Sequence, residues 1–350
     1  MKNLNFLKNS IGNTPIIEIK YVFKGESRVS YMKAEWYNLT GSIKDRVAFN
    51  IIKNAIKMGE LKPGQSIVET TSGNMGISLC ALGSFLGYKV VIFMPSSMSE
   101  ERKKLLMFYG AEIHLTKDFN EAFDSAKKYA IKNNSYMPNQ FENINNMLIH
   151  KNQLGKEIEN QIGLNFSCVV AGVGTSGTLM GLAHRFKNKN KKVFAVEPKN
   201  SSLLSLGVSS GKHKIQGLSD DIIPKLYNKD MVDGVISVKD DDAILMVKKF
   251  NSLGLGVGIS GGANFLGTVL SGEKVALSVF PDDNKKYLSI DNNIKKSELV
   301  EAIKISSIKF IKKSKKNFKK IKKFSWLMYF VLVYYMSIGF SMTYAGVAQW

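Results

Sequence analysis

The chain has 350 residues, of which 44% are apolar, enough to bury a continuous core across two ordinary domains and too many for a disordered polymer. Its two cysteines, Cys80 and Cys168, lie far apart with no second Cys or His at ligand spacing beside either, so a disulfide framework is excluded and no metal is expected. The net charge of +20 is uneven, since residues 291–350 hold 12 Lys against 3 acidic residues; elsewhere no basic stripe is interleaved with aromatics, which favours a solvated surface and no nucleic acid as partner.

Residues 1–17 mix Lys2, Lys8 and several Asn with scattered apolar positions and contain no apolar run of signal-peptide length, so a cytoplasmic protein is expected. From residue 13 onward short β-branched runs alternate with longer helical ones, and glycine punctuates them. That pattern belongs to an α/β chain. Residues 38–46 (Asn-Leu-Thr-Gly-Ser-Ile-Lys-Asp-Arg) place Lys44 just inside a helix that begins near Ser42. A strand is predicted over 67–70, followed by the turn Thr71-Ser72-Gly73-Asn74-Met75-Gly76 and an apolar, small-residue helix over 77–86 suited to close packing on a sheet. The next strand, 89–94, ends at Pro95; a helix over 99–109 follows, with Ser99 as its cap and Glu100 and Glu101 at its positive end.

Further along, a strand over 168–171 runs into Gly172-Val173-Gly174-Thr175-Ser176-Gly177-Thr178 and a helix over 179–186. Strands at 193–196 and 275–280 are closed by Glu197-Pro198 and by Pro281-Asp282-Asp283. In parallel sheets with helical crossovers, ligands bind at the carboxyl ends of the strands, and all of these polar segments fall there. There is no internal repeat.

A glycine-rich turn that opens a helix presents several backbone N–H groups and the positive end of the helix dipole, which together suit a phosphate. Residues 174–178 have this form, with Thr175, Ser176 and Thr178 adding hydroxyls, although a tight strand-to-helix connection that binds nothing has the same local pattern. The turn lacks both the acidic residue of a dinucleotide site and the Gly-Lys-Ser ending of a triphosphate loop. Lys44, at a positive helix end, has its charged form disfavoured, and partial burial adds to this, which is how an amine becomes available for a Schiff base. Most lysines in so basic a chain are solvated surface residues, and only the surrounding motif singles this one out.

Five motifs do so together: Thr40-Gly41-Ser42-Ile43-Lys44-Asp45-Arg46, Thr71-Ser72-Gly73-Asn74-Met75-Gly76, Gly174-Thr175-Ser176-Gly177-Thr178, His213-Lys214-Ile215-Gln216-Gly217 and Gly258-Ile259-Ser260-Gly261-Gly262-Ala263. In this order, over residues 13–289, the chain resembles the cysteine synthase (O-acetylserine sulfhydrylase) family. The resemblance implies a two-domain tryptophan synthase β-like fold, that of the fold type II pyridoxal-phosphate enzymes, with parallel-rich central sheets. Residues 1–35 with 146–290 would form the larger cofactor-binding domain, 36–145 a smaller mobile substrate domain, and 291–350 an extension outside the fold.

It further implies pyridoxal 5'-phosphate held by Lys44 as an internal aldimine, its phosphate on Gly174, Thr175, Ser176, Gly177 and Thr178, its ring hydroxyl oxygen on Asn74 and its pyridine nitrogen facing Ser260. A serine at that nitrogen leaves it largely unprotonated, which suits elimination through an α-aminoacrylate. Thr71, Ser72, Asn74, Met75 and Gln140 would hold the substrate's carboxylate, Gly217 would border the substrate, and Lys44 would remove the α-proton. The implied reaction is exchange of the acetoxy group of O-acetylserine for sulfide, giving cysteine, in a homodimer.

Several positions depart from the family pattern. Leu39 replaces the usual proline, Met75 the usual threonine, and Ser176 and Gly261 interchange Gly and Ser. The larger departure is Ser219-Asp220-Asp221, where typical synthases carry a Gly-Ala-Gly type stretch beside the leaving group. A carboxylate there would repel hydrosulfide and suits a base for water, so a cysteine lyase that releases hydrogen sulfide and forms serine is the alternative to cysteine synthesis. Of the two acids Asp220 is assigned this role, because it stands closest to the alanine of typical synthases and neighbours in an extended loop point to opposite sides, so that only one can face the cofactor; two aspartates capping the next turn would read the same way.

The tail is lysine-dense over 295–323 and has no charged residue over 324–350. Residues 324–342 have the length of a bilayer span, with the basic flank on the cytoplasmic side. An interfacial anchor and an extension without a selected role are the other readings, and a catalytically weak relative that binds a partner or membrane through this tail is the alternative to an enzyme.

Overall fold

A computed structural model of the chain describes residues 2–71, 73–98, 100–208, 212–219, 222–287, 294 and 296–311. Ten strands lie among these: β1 (Ile16–Phe23), β2 (Glu26–Ala34), β3 (Ile67–Thr70), β4 (Val90–Pro95), β5 (Glu112–Thr116), β6 (Cys168–Gly172), β7 (Lys192–Pro198), β8 (Gly234–Val238), β9 (Val275–Phe280) and β10 (Lys304–Ile311). They form a seven-stranded sheet of order β10-β1-β2-β9-β6-β7-β8 and a three-stranded sheet of order β3-β4-β5. The pairs from β2 through β9, β6, β7 and β8 are parallel, as are both pairs of the small sheet, while β10-β1-β2 is antiparallel. The three strands of the small sheet fall within residues 36–145 and those of the large sheet outside them.

The continuous apolar runs at the centre of the large sheet follow from burial on both faces. Successive residues alternate between faces: Val170, Ala276 and Phe280 join one cluster with Phe250 and Phe265, whereas Val169, Leu277 and Val279 join the opposite one with Leu182 and Phe186. In the small sheet, Val68, Val91 and Phe93 pack on Ala122, Ala126 and Ala130, an every-fourth-residue alanine stripe along the helix Phe119–Lys132. The helix Asn74–Leu86 lies close to the other face, as its small residues predict. A methyl at Gly83 would meet Val90 Cγ2 at 2.3 Å.

The predicted strands and helices are present with end shifts of at most three residues; the predicted helix cap Ser99 lies outside the described residues. One boundary is corrected. The expectation that the fold stops at residue 290 fails because Ser297 caps the helix Glu298–Ala302, Val300 and Ile303 are buried, and β10 pairs with β1 from Ile16↔Ile311 to Val22↔Lys304. Lysine density hid this strand: Lys304 and Lys309 occupy exposed positions while Ile305, Ile308 and Ile311 are partly buried. Among the described residues no helix is long and apolar enough to cross a membrane, and the apolar run 324–342 lies outside them.

Candidate active site

Four chain segments meet at the carboxyl ends of β3, β6 and β9. Residues 40–46 approach first. Ile43 N–H donates to Pro281 O just past β9 (2.8 Å), buried Ser42 forms a bridge to Asp282, and the helix Lys44–Met58 then begins. Asp45 keeps the turn in shape, accepting bonds from Thr40 N (2.7 Å), Thr40 Oγ1 (2.6 Å) and Ser78 Oγ (2.7 Å). Burial raises its carboxyl pKa against these bonds. Lys44 is thereby aimed across the gap, where its Nζ donates to Thr175 Oγ1 at 3.3 Å.

Thr175 belongs to the turn between β6 and the helix Gly177–Phe186. Ser176 has φ 65, a left-handed conformation uncommon outside glycine, and its Oγ is buried without a partner among the described residues. Asn146 donates from Nδ2 to Thr175 Oγ1 (2.8 Å) and to Gln140 O (2.9 Å), yet its Oδ1 has no partner. Position 177 admits only glycine here, since a methyl would lie 2.0 Å from that Oδ1. Thr178 Oγ1 meets His150 Nε2 at 3.3 Å. Burial, and then the charges of Lys44 and Arg46, push His150 well below its ordinary pKa and keep it neutral.

Ser260 stands in the first turn of the helix Ile259–Leu270 and lines the same cleft as Lys44, Asn74, Gly174, Thr175, Ser176, Gly177, Thr178 and Gly217. Asn264, one turn later, holds this helix against the large sheet, accepting from Gly172 N (2.8 Å) and donating to Val279 O (2.9 Å). Lys44, Asn74, Thr175 and Gly217 also line an adjoining cavity of about 600 Å³, together with Thr71, Met75 and Gln140. Of the sequence-predicted site residues, then, these come together around one space. Ser72, Asp220 and Asp221 lie outside the described residues; Gly217 and Ile222, on either side of the two acids in sequence, both line the cavity.

Other residues belong here that the sequence reading did not select. Glu69, at the end of β3, lines the cavity while fully buried, and burial pushes its carboxyl up to about 7 against bonds from Thr70 N (3.0 Å) and Gln140 N (3.4 Å). Arg102 donates to Gln216 Oε1 from across the cavity. Asp282 accepts from Asn74 Nδ2 at 2.7 Å and from Tyr287 Oη at 2.6 Å. Asp282 was within reach of the strand-end rule that marked its segment; Asn146 and Arg102 had no local signal.

An unpaired buried hydroxyl at a helix N-terminus, with a lysine amine at 3.3 Å from the neighbouring threonine, fits a phosphate monoester with a carbonyl that an amine can engage. Comparisons with known proteins point to the same group. Residues 7–282 match the family of pyridoxal-phosphate dependent enzymes. Cysteine synthase B of Campylobacter jejuni is 42% identical over 291 residues, 80% of this chain and 96% of the relative; cysteine synthase of Staphylococcus aureus (strain Mu50) is 37% identical over 300 residues, 82% and 96%.

Among solved structures, a hydrogen sulfide-producing enzyme of Fusobacterium nucleatum superposes with a TM-score of 0.85 at 45% identity, covering 88% of this chain and 98% of that one. An aspartate-to-asparagine variant of that enzyme, solved with an alpha-aminoacrylate intermediate, is 43% identical with the same TM-score and covers 89% and 100%. The cysteine synthase of Entamoeba histolytica follows at 0.77 and 37%, covering 85% and 93%. The chain belongs to the cysteine synthase family of fold type II enzymes, and pyridoxal 5'-phosphate is its cofactor.

Proposed function

We propose that the protein exchanges the β-substituent of cysteine, releasing hydrogen sulfide and taking up water to give serine. The observation that carries this reading is the Ser219-Asp220-Asp221 sequence, set between Gly217 and Ile222, two residues that line the cavity beside Lys44. Like charges about 4 Å apart repel by about 4 kcal/mol at the effective dielectric of a protein surface, so a carboxylate in this loop disfavours incoming hydrosulfide and favours its departure. The likeness to a hydrogen sulfide-producing enzyme supports the same direction.

When bound, pyridoxal phosphate supplies an electron sink that acidifies the substrate's Cα–H and lets the β-substituent leave. The chain's own residues do the rest. Gly174, Thr175, Ser176, Gly177 and Thr178 bind the phosphate with backbone N–H groups and hydroxyls at the start of the helix Gly177–Phe186. Lys44 Nζ is the amine that would hold the cofactor's carbonyl and would take up the proton from the substrate's Cα. Asn74 would donate to the ring's oxygen, and Ser260 would give the ring nitrogen a neutral partner. Thr71, Ser72, Asn74, Met75 and Gln140 receive the substrate carboxylate at the positive end of the helix Asn74–Leu86. Asp220 holds the proton taken from the attacking water, with Gly217 beside the substrate.

A second reading, synthesis of cysteine from O-acetylserine and sulfide, is favoured by the 42% identity to a cysteine synthase B. It shares every residue but Asp220. Purified protein given cysteine alone, and separately O-acetylserine with sulfide, distinguishes the two. The first reading expects serine and sulfide from cysteine, with Asp220→Asn slowing serine formation about 10²- to 10⁴-fold, the usual contribution of a general base. No serine from cysteine, with brisk cysteine synthesis in the other arm, replaces it by the second. A homodimer is the assembly proposed for either, to be read by light scattering.

A further inference from the structure

We infer that Lys286 is a positioning residue that, with Asp282, fixes the orientation of the Asn74 amide and thereby makes Asn74 a pure donor toward whatever binds beside Lys44. Lys286 Nζ lies 2.9 Å from Asn74 Oδ1, and Asn74 Nδ2 lies 2.7 Å from Asp282 Oδ2. An ammonium can only donate and a carboxylate oxygen accepts, so a carboxamide set between them has one satisfied orientation. Turned over, it would place NH2 against the cation and C=O against the acid, losing both bonds.

The orientation is therefore dictated by its neighbours, a donor on one side and an acceptor on the other. It also survives titration of Asp282. Burial raises the pKa of that carboxyl against Lys286 and its other partners, but a proton taken up on Oδ1, which has no partner among the described residues, leaves Oδ2 an acceptor for Asn74 and for Tyr287 Oη. With Oδ1 committed to Lys286 and one Nδ2 hydrogen committed to Asp282, Asn74 retains a single N–H for the cleft that it shares with Lys44, Thr175 and Ser260. An oxygen bonded there must accept, which favours a negatively charged oxygen over a hydroxyl that needs to donate.

Lys286 does a second thing with the same amine. Its Nζ also reaches Thr40 O (3.3 Å) and Gly41 O (3.4 Å), the turn that leads to Lys44. One cation thus ties the Lys44 turn and Asn74 to the segment after β9. The inference rests on the cleft being the cofactor site but not on the direction of the β-exchange.

The test titrates apoprotein with pyridoxal 5'-phosphate and reads the dissociation constant and visible absorbance of wild type, Lys286→Arg, Lys286→Met, Asn74→Ala and the double variant Lys286→Met with Asn74→Ala. Loss of a bond to a charged group corresponds to roughly tenfold or more in affinity. Lys286→Met is expected to bind about tenfold more weakly with a shifted absorbance maximum, and Lys286→Arg, still donor-only, to restore both. On the Asn74→Ala background Lys286→Met should add less than about twofold, because the partner through which it acts is gone. Wild-type affinity and absorbance in Lys286→Met overturn the inference. So does a tenfold loss that persists in full without Asn74, since Lys286 would then act through the Thr40–Gly41 turn. Should circular dichroism show Lys286→Met unfolded, Lys286→Gln carries the same comparison, as an amide that accepts as well as donates lets Asn74 turn over. A wild-type chain that takes up no cofactor removes the site assignment itself and not only the role of Lys286.

Discussion

Two residues apart at the start of one helix, Arg46 and Lys44 enter polar clusters of opposite character. Arg46 is fully buried and saturated: it donates to Glu35 at 2.6 and 2.9 Å, to Glu157 at 2.8 and 2.9 Å and to Thr14 Oγ1 at 3.2 Å. Lys33 Nζ completes the set at 3.0 Å from Glu157, so two cations balance two anions. Burial alone would raise the Glu35 carboxyl pKa, but Arg46 more than reverses this and holds it below its ordinary value. Around Lys44 the bookkeeping does not close. Ser176 Oγ, Asn146 Oδ1, His150 Nδ1 and Asp282 Oδ1 are buried with no partner among the described residues. A buried polar atom left unpaired costs stability, so the four beside Lys44 mark a place where a ligand can complete the bonding, whereas every nitrogen of the Arg46 guanidinium already has a partner.

The largest change expected on the Lys44 side is chemical. Lys44→Ala should lose turnover by several orders of magnitude while leaving the fold intact, because covalent capture and α-proton removal share one amine. Steady-state rates and a melting curve on the same sample check it, and retained turnover would break the assignment. On the Arg46 side the change should be structural. Arg46→Met leaves two buried anions against Lys33 alone and strands Glu35, and about 3–5 kcal/mol of stability should disappear in denaturant unfolding. A loss of under 1 kcal/mol would mean that this cluster is not the closed network described above.

Glu69 provides an intermediate test of the cavity side. Its folded carboxyl is raised to about 7 against an ordinary 4.5, so the folded state binds a proton that the unfolded state releases. Stability from this group is full below about 4.5, falls as the pH rises to about 7 and is flat above, by about 3 kcal/mol in total. Glu69→Gln should flatten unfolding free energy across that window; an unchanged slope would show the carboxyl to be ionised when folded. The smallest effect belongs to Ser176→Ala. With no bond to lose, the apoprotein should melt within about 0.5 kcal/mol of wild type, whereas affinity for pyridoxal 5'-phosphate should drop about tenfold, the value of one hydrogen bond. A large loss of apoprotein stability would identify a structural hydroxyl instead.

These clusters also mark how far local sequence could be read. Lys44, Asn74, Thr175, Ser176 and Ser260 sit in strand-to-helix turns or first helical turns, where short motifs dictate both the backbone and the chemistry it presents. Strand β10 escaped because its eight residues carry two lysines and lie in a lysine-dense stretch that looks like solvated surface; its pairing depends on an edge of β1 that is nearly 300 residues away in sequence. Glu69 looked like one more polar residue ending a strand, and its raised pKa comes from burial, a property of the packed molecule.

By itself the sequence determined the α/β alternation and the turns at the strand ends, encoded in contiguous residues whose spacing matches the period of a strand or helix, and through the resemblance of its five motifs it pointed to the family. Tertiary structure alone decided which partners orient those residues. Asn74 meets Asp282 across 208 positions and Lys286 across 212, and Arg46 meets Glu157 across 111. No local pattern encodes such contacts: they exist only after two sheets and their helices have packed, when burial brings donors and acceptors from distant segments together.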